Sequence, residues 1–180
     1  MEIKNGQLMI YRVDKDYLKH LAQIDKNVRK KYERKYYGII ITNNNIDYCI
    51  PFTSRIKNRN GKLTINIQDK NVTIAQLTLN NMIPVKASVV ELVDISKEKD
   101  KDYLNKEIRY LRRKEVKKII IEKTENIFYV LSNESHDDYK FFKELCGNFK
   151  ILEDECKRWN GKGDSSDFQL SWKYKYNKCI

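Results

Sequence analysis

Two neighbouring hydroxyl residues, Thr53 and Ser54, precede four basic residues in a segment that contains no acid. The segment, residues 51–62, carries Arg55, Lys57, Arg59 and Lys62. Hydroxyls and cations together can hold a phosphate, and cleavage of RNA by its own 2′-hydroxyl needs a base, an acid and a cation beside the developing charge. The alternative is that both hydroxyls only satisfy backbone groups in a turn.

A second candidate surface is the segment of residues 26–37, which we call the first basic segment; residues 51–62 are the second basic segment. The first contains six basic residues interleaved with three tyrosines. Basic side chains bind phosphates, and aromatic faces stack on unpaired bases. The predicted RNA-binding residues are Arg29, Lys30 and Lys31 here and Arg59 and Lys62 in the second segment. The alternative is a solvated loop.

A predicted β-hairpin positions these two segments. Residues 37–42 and 46–52 read as strands, and the asparagines between them tolerate the left-handed turn conformation. Tyr37 and Phe52 then become cross-strand neighbours. The hairpin would bring three residues of the first basic segment close to four residues of the second. The three are Tyr32, Arg34 and Lys35, and the four are Thr53, Ser54, Arg55 and Lys57. In this positive field we expect lowered lysine and tyrosine pKa values, which favours proton transfer.

The other elements indicate an α+β fold, a twisted, partly closed antiparallel sheet with helices packed on it. Further strands are predicted over 8–13, 63–67, 72–77 and 85–93, and those over 63–67 and 72–77 flank residues 68–71 as a second hairpin. A helix is predicted after a cap at Asp14 or Asp16, with Leu18, Leu21, Ala22 and Ile24 on one face. Another is predicted after a cap at Ser96, followed over 116–130 by a second helix or a bent continuation of the first. A last helix is predicted over 137–159. Residues 1–180 are predicted to be one domain, whose tail, 160–180, is a loop followed by a strand.

A third basic stretch is the helical run 97–123, which holds eleven basic and six acidic residues. Its cations could line a groove for RNA, and the candidates are Arg109, Arg112, Arg113 and Lys117. The alternative is an exposed helix face with ion pairs between neighbouring turns.

Composition limits the class of protein. The 180 residues carry 36 basic and 25 acidic side chains, a net charge of +11, with a pI near 9.4. A cationic domain attracts polyanions, although a lysine-rich proteome is an alternative source of the charge. The excess is regional, because residues 1–135 carry net +10 and residues 136–160 carry net −1. A membrane-surface role is disfavoured, because the cations do not follow one amphipathic helix.

No cofactor or metal is predicted. The chain has no glycine-rich phosphate loop, no CxxC pair, and only two histidines, His20 and His136, which are far apart in sequence and are expected to be structural. The N-terminus lacks an apolar leader and no apolar run approaches about 20 residues. The four cysteines are therefore expected to be buried, reduced thiols, and the location to be cytoplasmic.

The chain resembles the ToxN/AbiQ/CptN/TenpN endoribonucleases, the protein toxins of type III toxin–antitoxin systems. Three stretches carry the resemblance: the first basic segment running into Tyr36-Tyr37-Gly38-Ile39-Ile40, then Tyr48-Cys49-Ile50-Pro51-Phe52-Thr53-Ser54, and then Leu77-Thr78-Leu79-Asn80-Asn81-Met82-Ile83-Pro84-Val85. The resemblance covers residues 8–130 and rests on the order and spacing of these three stretches, not on any one motif.

The resemblance implies a metal-independent RNase that leaves 2′,3′-cyclic phosphate and 5′-hydroxyl ends, on a fold related to the Kid/MazF-like toxins. It implies a repeated pseudoknot RNA antitoxin that the toxin processes and that inhibits it in a closed toxin–RNA assembly. The implied role is growth arrest and abortive infection against phage.

Thr53 and Ser54 match the family's Thr-Ser pair. Lys57 or Arg55 would be the cation that follows the pair, since Ile56 stands where the family often has lysine. The basic residue before the aromatic-x-Gly element is Arg34 or Lys35, and Tyr32 is the nearby phenol. The acid and the base stay unassigned. Two other functions are open: a non-catalytic RNA-binding module, and a Kid/MazF-like toxin with a protein antitoxin.

Overall fold

The computed structural model describes residues 1–3, 8–28, 36–56 and 61–161. Eight strands form one sheet: β1 (Glu2–Ile3), β2 (Tyr11–Val13), β3 (Tyr37–Asn43), β4 (Ile46–Thr53), β5 (Thr64–Asp69), β6 (Val72–Thr78), β7 (Ile83–Val85) and β8 (Val90–Leu92). Five α-helices lie in the described ranges: α1 (Lys15–Ile24), α2 (Lys101–Leu111), α3 (Lys114–Ser132), α4 (Tyr139–Leu145) and α5 (Phe149–Arg158).

The sheet is antiparallel, and its strands follow the order β5-β6-β4-β3-β2-β8. Strand β4 is its centre, because it pairs with β3 on one side and with both β7 and β6 on the other. The pairs Asp47–Val85 and Phe52–Leu77 show that β7 takes the first half of β4 and β6 its last residues. The predicted α+β class and the antiparallel sheet with helices on it are confirmed, and the strands β5 and β8 are the two ends of this order.

Both predicted hairpins form. Asn44 and Asn45, between β3 and β4, have φ angles of 49° and 62°, and Lys70 and Asn71, between β5 and β6, have φ angles of 48° and 66°. Two consecutive left-handed residues give the turn twist that matches the twist of two antiparallel strands. The asparagine-rich loop therefore sets the register of β3 on β4, which begins with Asn43 opposite Ile46.

Side chains from the two faces of the sheet form two hydrophobic cores. On one face Ile39, Ile41 and Ile50 pack with the buried side of α2 and α3. On the other face Ile40 and Cys49 pack with α1. Because neighbouring strand residues point to opposite faces, the apolar run 39–41 is buried on both sides of the sheet. This double burial explains why its sequence does not alternate.

Four local predictions are wrong. Residues 85–93 do not form one strand: β7 and β8 are separated by a 3-10 turn at Ala87–Val89. The helix predicted over 137–159 breaks at Cys146–Asn148 into α4 and α5. Asp100, rather than Ser96, is the cap position of α2. Ile24 does not share the buried face of α1 and is 44% exposed.

The cap of α1 and the buried cysteines agree with the sequence-based predictions. The N-cap Asp14 accepts a hydrogen bond from the backbone N–H of Tyr17, as predicted for α1. Cys49, Cys146 and Cys156 are free and buried, as expected, and the fourth cysteine, Cys179, lies outside the described residues. The predicted tail strand lies outside the described residues. Among the helices described, none combines the length and the apolar character that crossing a membrane requires.

Candidate active site

The Thr-Ser pair lies where β4 ends. Thr53 is the last residue of the strand and is half-buried, and Ser54 and Arg55 are exposed. The Thr53 hydroxyl accepts a hydrogen bond from the backbone N–H of Arg55 at 3.2 Å, and the Ser54 carbonyl accepts one from the N–H of Ile56 at 3.1 Å. Thr53 thus closes the turn that presents the other two side chains to solvent, while no hydrogen bond within the described ranges occupies the Ser54 hydroxyl.

The first basic segment re-enters the fold beside this turn. Gly38 pairs with Pro51 in the β3–β4 ladder. The rings of Tyr37 and Phe52 stack with centroids 6.3 Å apart and planes 19° apart. The predicted cross-strand neighbours are therefore confirmed. Tyr37 is the last residue of the first basic segment and Phe52 directly precedes Thr53, so the stack brings the end of that segment next to the hydroxyl pair.

The close approach of β3 and β4 requires a glycine. A Cβ atom on Gly38 would lie 2.5 Å from the Sγ atom of Cys49 and 2.5 Å from the carbonyl oxygen of Ile50. These distances are far inside van der Waals contact, and one of the two atoms is backbone. The glycine of the aromatic-x-Gly element therefore permits the pairing that brings Tyr37 onto Phe52.

A polar network of Glu98, Arg12 and Glu91 holds the hydroxyl group of Tyr37. Its hydroxyl donates to Glu98 Oε2 at 2.7 Å, and Arg12 lies 3.7 Å from Glu98 and 2.6 Å from Glu91. The hydrogen bond to Glu91 is the main cause that raises the pKa of Arg12. The sequence does not single out Glu98, because this residue belongs to the charged run 97–123, for which an exposed helix face is one interpretation.

A row of polar side chains continues from Thr53 across the sheet. Thr53 pairs with Gln76, and Gln76 pairs with Asn66. The Gln76 amide nitrogen donates to Asn66 Oδ1 at 2.8 Å. On the same face Thr78 donates to the carbonyl oxygen of Pro51 at 3.1 Å. Directly paired residues share a face, so these side chains lie on the side of the sheet opposite Phe52.

Sequence reasoning missed this row. The alternation of Leu63, Ile65 and Ile67 with polar residues predicts one buried apolar face, and it says nothing of the polar side chains on β6. Gln76 and Thr78 are in fact only 4% exposed each. Polar residues do alternate along both β5 and β6 in the sequence. Alternation shows which face of a strand is polar, but it does not show whether other parts of the protein cover that face.

The two ends of the first basic segment are anchored. At its start the Asn27 side chain donates to the carbonyl oxygens of Glu144 at 3.1 Å and Cys146 at 2.8 Å. At its end the Tyr36 hydroxyl donates to the carbonyl oxygen of Asn81 at 2.8 Å. Asn80 joins the two anchors, because its amide donates to the carbonyl oxygen of Leu145 at 3.3 Å. The Leu77–Val85 stretch thus supports both ends of the segment.

The second basic segment is anchored where it enters β5. The Lys123 ammonium donates to the carbonyl oxygens of Gly61 and of Thr64, the latter at 3.1 Å. Burial lowers the pKa of Lys123. Lys62, a predicted RNA ligand, is held by Asp138, whose two carboxylate oxygens lie 2.8 Å and 2.6 Å from its ammonium.

Eight of the predicted site residues lie outside the described ranges. They are Arg29, Lys30, Lys31, Tyr32, Arg34, Lys35, Lys57 and Arg59. Their assignment to the site stays a prediction. The anchors at Tyr36 and at Gly61 fix only where the two segments rejoin the fold.

The predicted ligands on α2 and α3 form a separate basic corner. Arg109 and Arg113 are exposed, and the Arg113 guanidinium lies 4.9 Å from the Tyr110 ring centroid. Arg112 donates to the carbonyl oxygen of Leu8 at 3.0 Å, which gives it a structural role, and Lys117 is half-buried. No hydrogen bond or ion pair in the described part of the chain joins this corner to Thr53 or Ser54.

Both histidines have structural contacts. His20 lies 3.0 Å from Glu155 and its ring packs on Trp159 with centroids 4.8 Å apart. His136 accepts a hydrogen bond from the backbone N–H of Asp138. Neither contacts the hydroxyl pair.

Comparison with known proteins decides the family. The family model described as "Toxin ToxN, type III toxin-antitoxin system" matches residues 9–157, which is most of the chain. The chain belongs to the ToxN toxin family. The match includes β2 through α5 and therefore the hydroxyl pair, both anchors of the first basic segment and the polar row, and it confirms the resemblance read from the sequence.

A curated relative is the protein named Endoribonuclease ToxN from Bacillus thuringiensis subsp. kurstaki. It is 28% identical to this member of the family over 169 residues, and the match covers 87% of each chain.

Solved structures agree on the ToxN-family fold. One comes from work on type III systems described as "selective toxin inhibition by a non-coding RNA pseudoknot"; it superposes with a TM-score of 0.75 at 24% identity and covers 87% of this chain and 99% of its own. AbiQ, described as a lactococcal anti-phage endoribonuclease, superposes with a TM-score of 0.73 at 21% identity and covers 87% of this chain and 100% of its own.

Proposed function

We propose that this protein is the endoribonuclease toxin of a type III toxin–antitoxin system and that it cleaves RNA at the end of β4. The observation that carries the proposal is the family match over residues 9–157. The curated relative is named an endoribonuclease, and AbiQ is described as an anti-phage endoribonuclease. The role we propose is therefore growth arrest in defence against phage.

Thr53 and Ser54 have different roles in this proposal. Thr53 is a positioning residue, since its hydroxyl already caps the N–H of Arg55. Ser54 and Arg55 are exposed beside it, so they are the groups that hold the oxygens of the scissile phosphate. A cation and a hydroxyl aimed at a phosphoryl group stabilise the negative charge that develops as the bond to the leaving oxygen breaks.

The reaction is an attack of the RNA 2′-hydroxyl on the adjacent phosphorus. The 2′-oxygen loses its proton to a base and forms the new P–O bond, the P–O5′ bond breaks, and an acid protonates the leaving 5′-oxygen. The products are a 2′,3′-cyclic phosphate and a 5′-hydroxyl. Lys57 and Lys35 are the candidates to assist deprotonation, and Tyr32 and Arg34 complete the proposed cluster. The reaction as written needs no metal ion or cofactor.

The proposed regulator is a repeated RNA pseudoknot that the toxin processes and that assembles with it into a closed complex. One structural relative comes from work on toxin inhibition by a non-coding RNA pseudoknot. Another, with a TM-score of 0.68, comes from work on a processed non-coding RNA that regulates an antiviral system. We also propose a cytoplasmic location, because both the substrate and the antitoxin are RNA.

One purification tests this function. The protein is expressed together with the DNA that lies upstream of its gene, and the RNA that copurifies with it is sequenced and its ends are determined. We expect a discrete RNA of one repeat length with a 2′,3′-cyclic phosphate and a 5′-hydroxyl. Nucleic-acid-free protein, obtained in good yield without toxicity, would reject the toxin in favour of an RNA-binding module, and a copurifying acidic peptide would indicate a protein antitoxin.

A further inference from the structure

A cleft of about 680 Å³ lies between the end of α1, the last turns of α3 and the α4–α5 corner, and neither Thr53 nor Ser54 lines it. Phe128, Leu131 and Phe149 contribute apolar walls. Ile24 and Ile151, 44% and 47% exposed, line it as well. A concave site of this volume with apolar walls fits a ligand of the size of a nucleotide.

Three lysines line the same cleft: Lys26, Lys143 and Lys150. The Lys143 ammonium donates to the Tyr139 hydroxyl at 3.0 Å and lies 5.0 Å from the centre of its ring, so its position is fixed. All three lysines are exposed. In the part of the chain that the structure describes, no carboxylate forms an ion pair with Lys26 or Lys150.

The two acidic residues of the lining are already engaged within the fold. Asp25 accepts the backbone N–H of Asn27 at 2.8 Å on one oxygen and that of Asn148 at 2.6 Å on the other. Glu153 accepts a hydrogen bond from the Tyr48 hydroxyl. These carboxylates hold the cleft wall together, whereas Lys26 and Lys150 are exposed and can meet an anion.

The cleft also adjoins the root of the first basic segment. Lys26 and Asn27 line it, and the Asn27 amide is bonded to the corner between α4 and α5. The other end of that segment is Tyr37, whose ring stacks on Phe52, the residue that precedes Thr53. The cleft and the candidate active site therefore stand at the two ends of one cation-rich stretch of chain.

We propose that this cleft binds a nucleotide of single-stranded RNA at a distance from the cleavage point. The lysines contact its phosphate, and the Tyr139 ring and the apolar wall receive its base. An acidic peptide would match the lysines but leave the aromatic and apolar wall without a function, whereas a nucleotide uses both. The inference rests on the proposed function, because it assumes that the protein acts on RNA.

Two double variants of equal charge test the site. Lys143→Glu/Lys150→Glu changes one cleft lysine on α4 and one on α5, and Lys140→Glu/Lys157→Glu changes one exposed lysine on each of the same helices outside the cleft. The probe is a 20-nucleotide single-stranded RNA of mixed sequence, 2′-O-methylated throughout so that it has no nucleophile. Binding is measured by fluorescence anisotropy at several salt concentrations.

The cleft variant should weaken binding at least about tenfold and lower the slope of log Kd against log salt by about 1.4, since each lost phosphate contact on single-stranded RNA contributes about 0.7. The control variant should bind within about twofold of wild type, because exposed charges away from the ligand are screened by salt. Tyr139→Leu, which keeps apolar bulk and removes the aromatic face, should weaken binding about fivefold. Thermal unfolding of each variant checks that it is folded.

Equal weakening by both double variants would assign the effect to net charge and overturn the cleft proposal, as would wild-type binding by the cleft variant. Cleavage of unmodified RNA by the wild-type protein separates this failure from that of the proposed function. If the wild type cleaves RNA while the two double variants bind alike, only the cleft proposal fails. If the wild type neither binds nor cleaves RNA, the proposed function fails with it.

Discussion

Tyr37 stacks on Phe52 with ring centroids 6.3 Å apart. Tyr37 directly follows the anchor residue Tyr36, and Phe52 directly precedes Thr53, so the stack joins the first basic segment to the hydroxyl pair. The Tyr37 hydroxyl is held by Glu98 and Glu98 is paired with Arg12. The ring stack therefore supports the end of β4 from the core side of the sheet, on the face opposite to Thr53, and the polar groups hold the Tyr37 hydroxyl.

Removing the Tyr37 hydroxyl should destabilise the protein and leave cleavage intact. Tyr37→Phe loses the bond to Glu98, which is 2.7 Å long and has a charged acceptor, and should lower the free energy of unfolding by about 1–3 kcal/mol. The ring stack on Phe52 stays, so the RNA cleavage rate should stay close to that of wild type. Urea denaturation and a cleavage assay measure the two effects.

Tyr129→Phe is the matched control, because the Tyr129 side chain is 59% exposed, and it should leave stability unchanged. A Tyr37→Phe protein that is as stable as wild type would show that the bond to Glu98 does not hold this part of the sheet.

Gly38 cannot accept a side chain. Gly38→Ala places a Cβ atom 2.5 Å from the Cys49 Sγ atom and from the Ile50 carbonyl oxygen, so β3 and β4 must separate locally. We expect a loss of about 1–3 kcal/mol in the free energy of unfolding and a lower cleavage rate, since the same pairing positions Thr53. Gly61→Ala meets nothing within 4 Å and should change neither. Equal stability of the two alanine variants would contradict this account.

The β3–β4 hairpin and its contact between Tyr37 and Phe52 could be predicted from the sequence, because turn chemistry and cross-strand pairing are local. The break between α4 and α5 could not. The apolar positions Phe142, Phe149 and Leu152 continue a helical spacing across it, and the corner is fixed by a bond from Asn148 to Asp25, 123 positions away in the chain. The polar row at Gln76 was also missed, since alternation does not report whether a face is covered.

Glu107 is another residue whose environment the sequence does not reveal. It belongs to a charged helix and reads as exposed, yet it is 1% exposed and its Oε2 atom has no hydrogen-bond partner in the described chain. Burial raises the pKa of Glu107 from 4.5 to about 8. The folded protein therefore keeps a proton that the unfolded chain releases near pH 4.5.

This difference predicts a pH-dependent stability. The stabilising contribution of Glu107 is fully present below pH 4.5 and is lost as the pH rises toward 8, since the folded state binds the extra proton. The glutamine of Glu107→Gln does not titrate, so this variant serves as the reference at each pH. The free energy of unfolding of wild type minus that of the variant should be at least about 1 kcal/mol smaller at pH 8 than at pH 5. Urea denaturation at both pH values measures the difference.

Glu115→Gln on α3 removes an exposed carboxylate and provides the control, which should change the free energy of unfolding by less than about 0.5 kcal/mol, as surface substitutions generally do. A constant difference between wild type and Glu107→Gln across this range would show that Glu107 is ionised in the folded protein.

The most direct test of the account is the rate of RNA cleavage by Ser54→Ala. Ser54 is exposed at the end of β4, so its replacement should leave folding unchanged and lower the cleavage rate at least about 100-fold, the effect of losing one donor to the developing charge. Ser135→Ala, which removes an exposed serine between α3 and α4, should cleave at the wild-type rate. Wild-type cleavage by Ser54→Ala would contradict the assignment of the reaction to this turn.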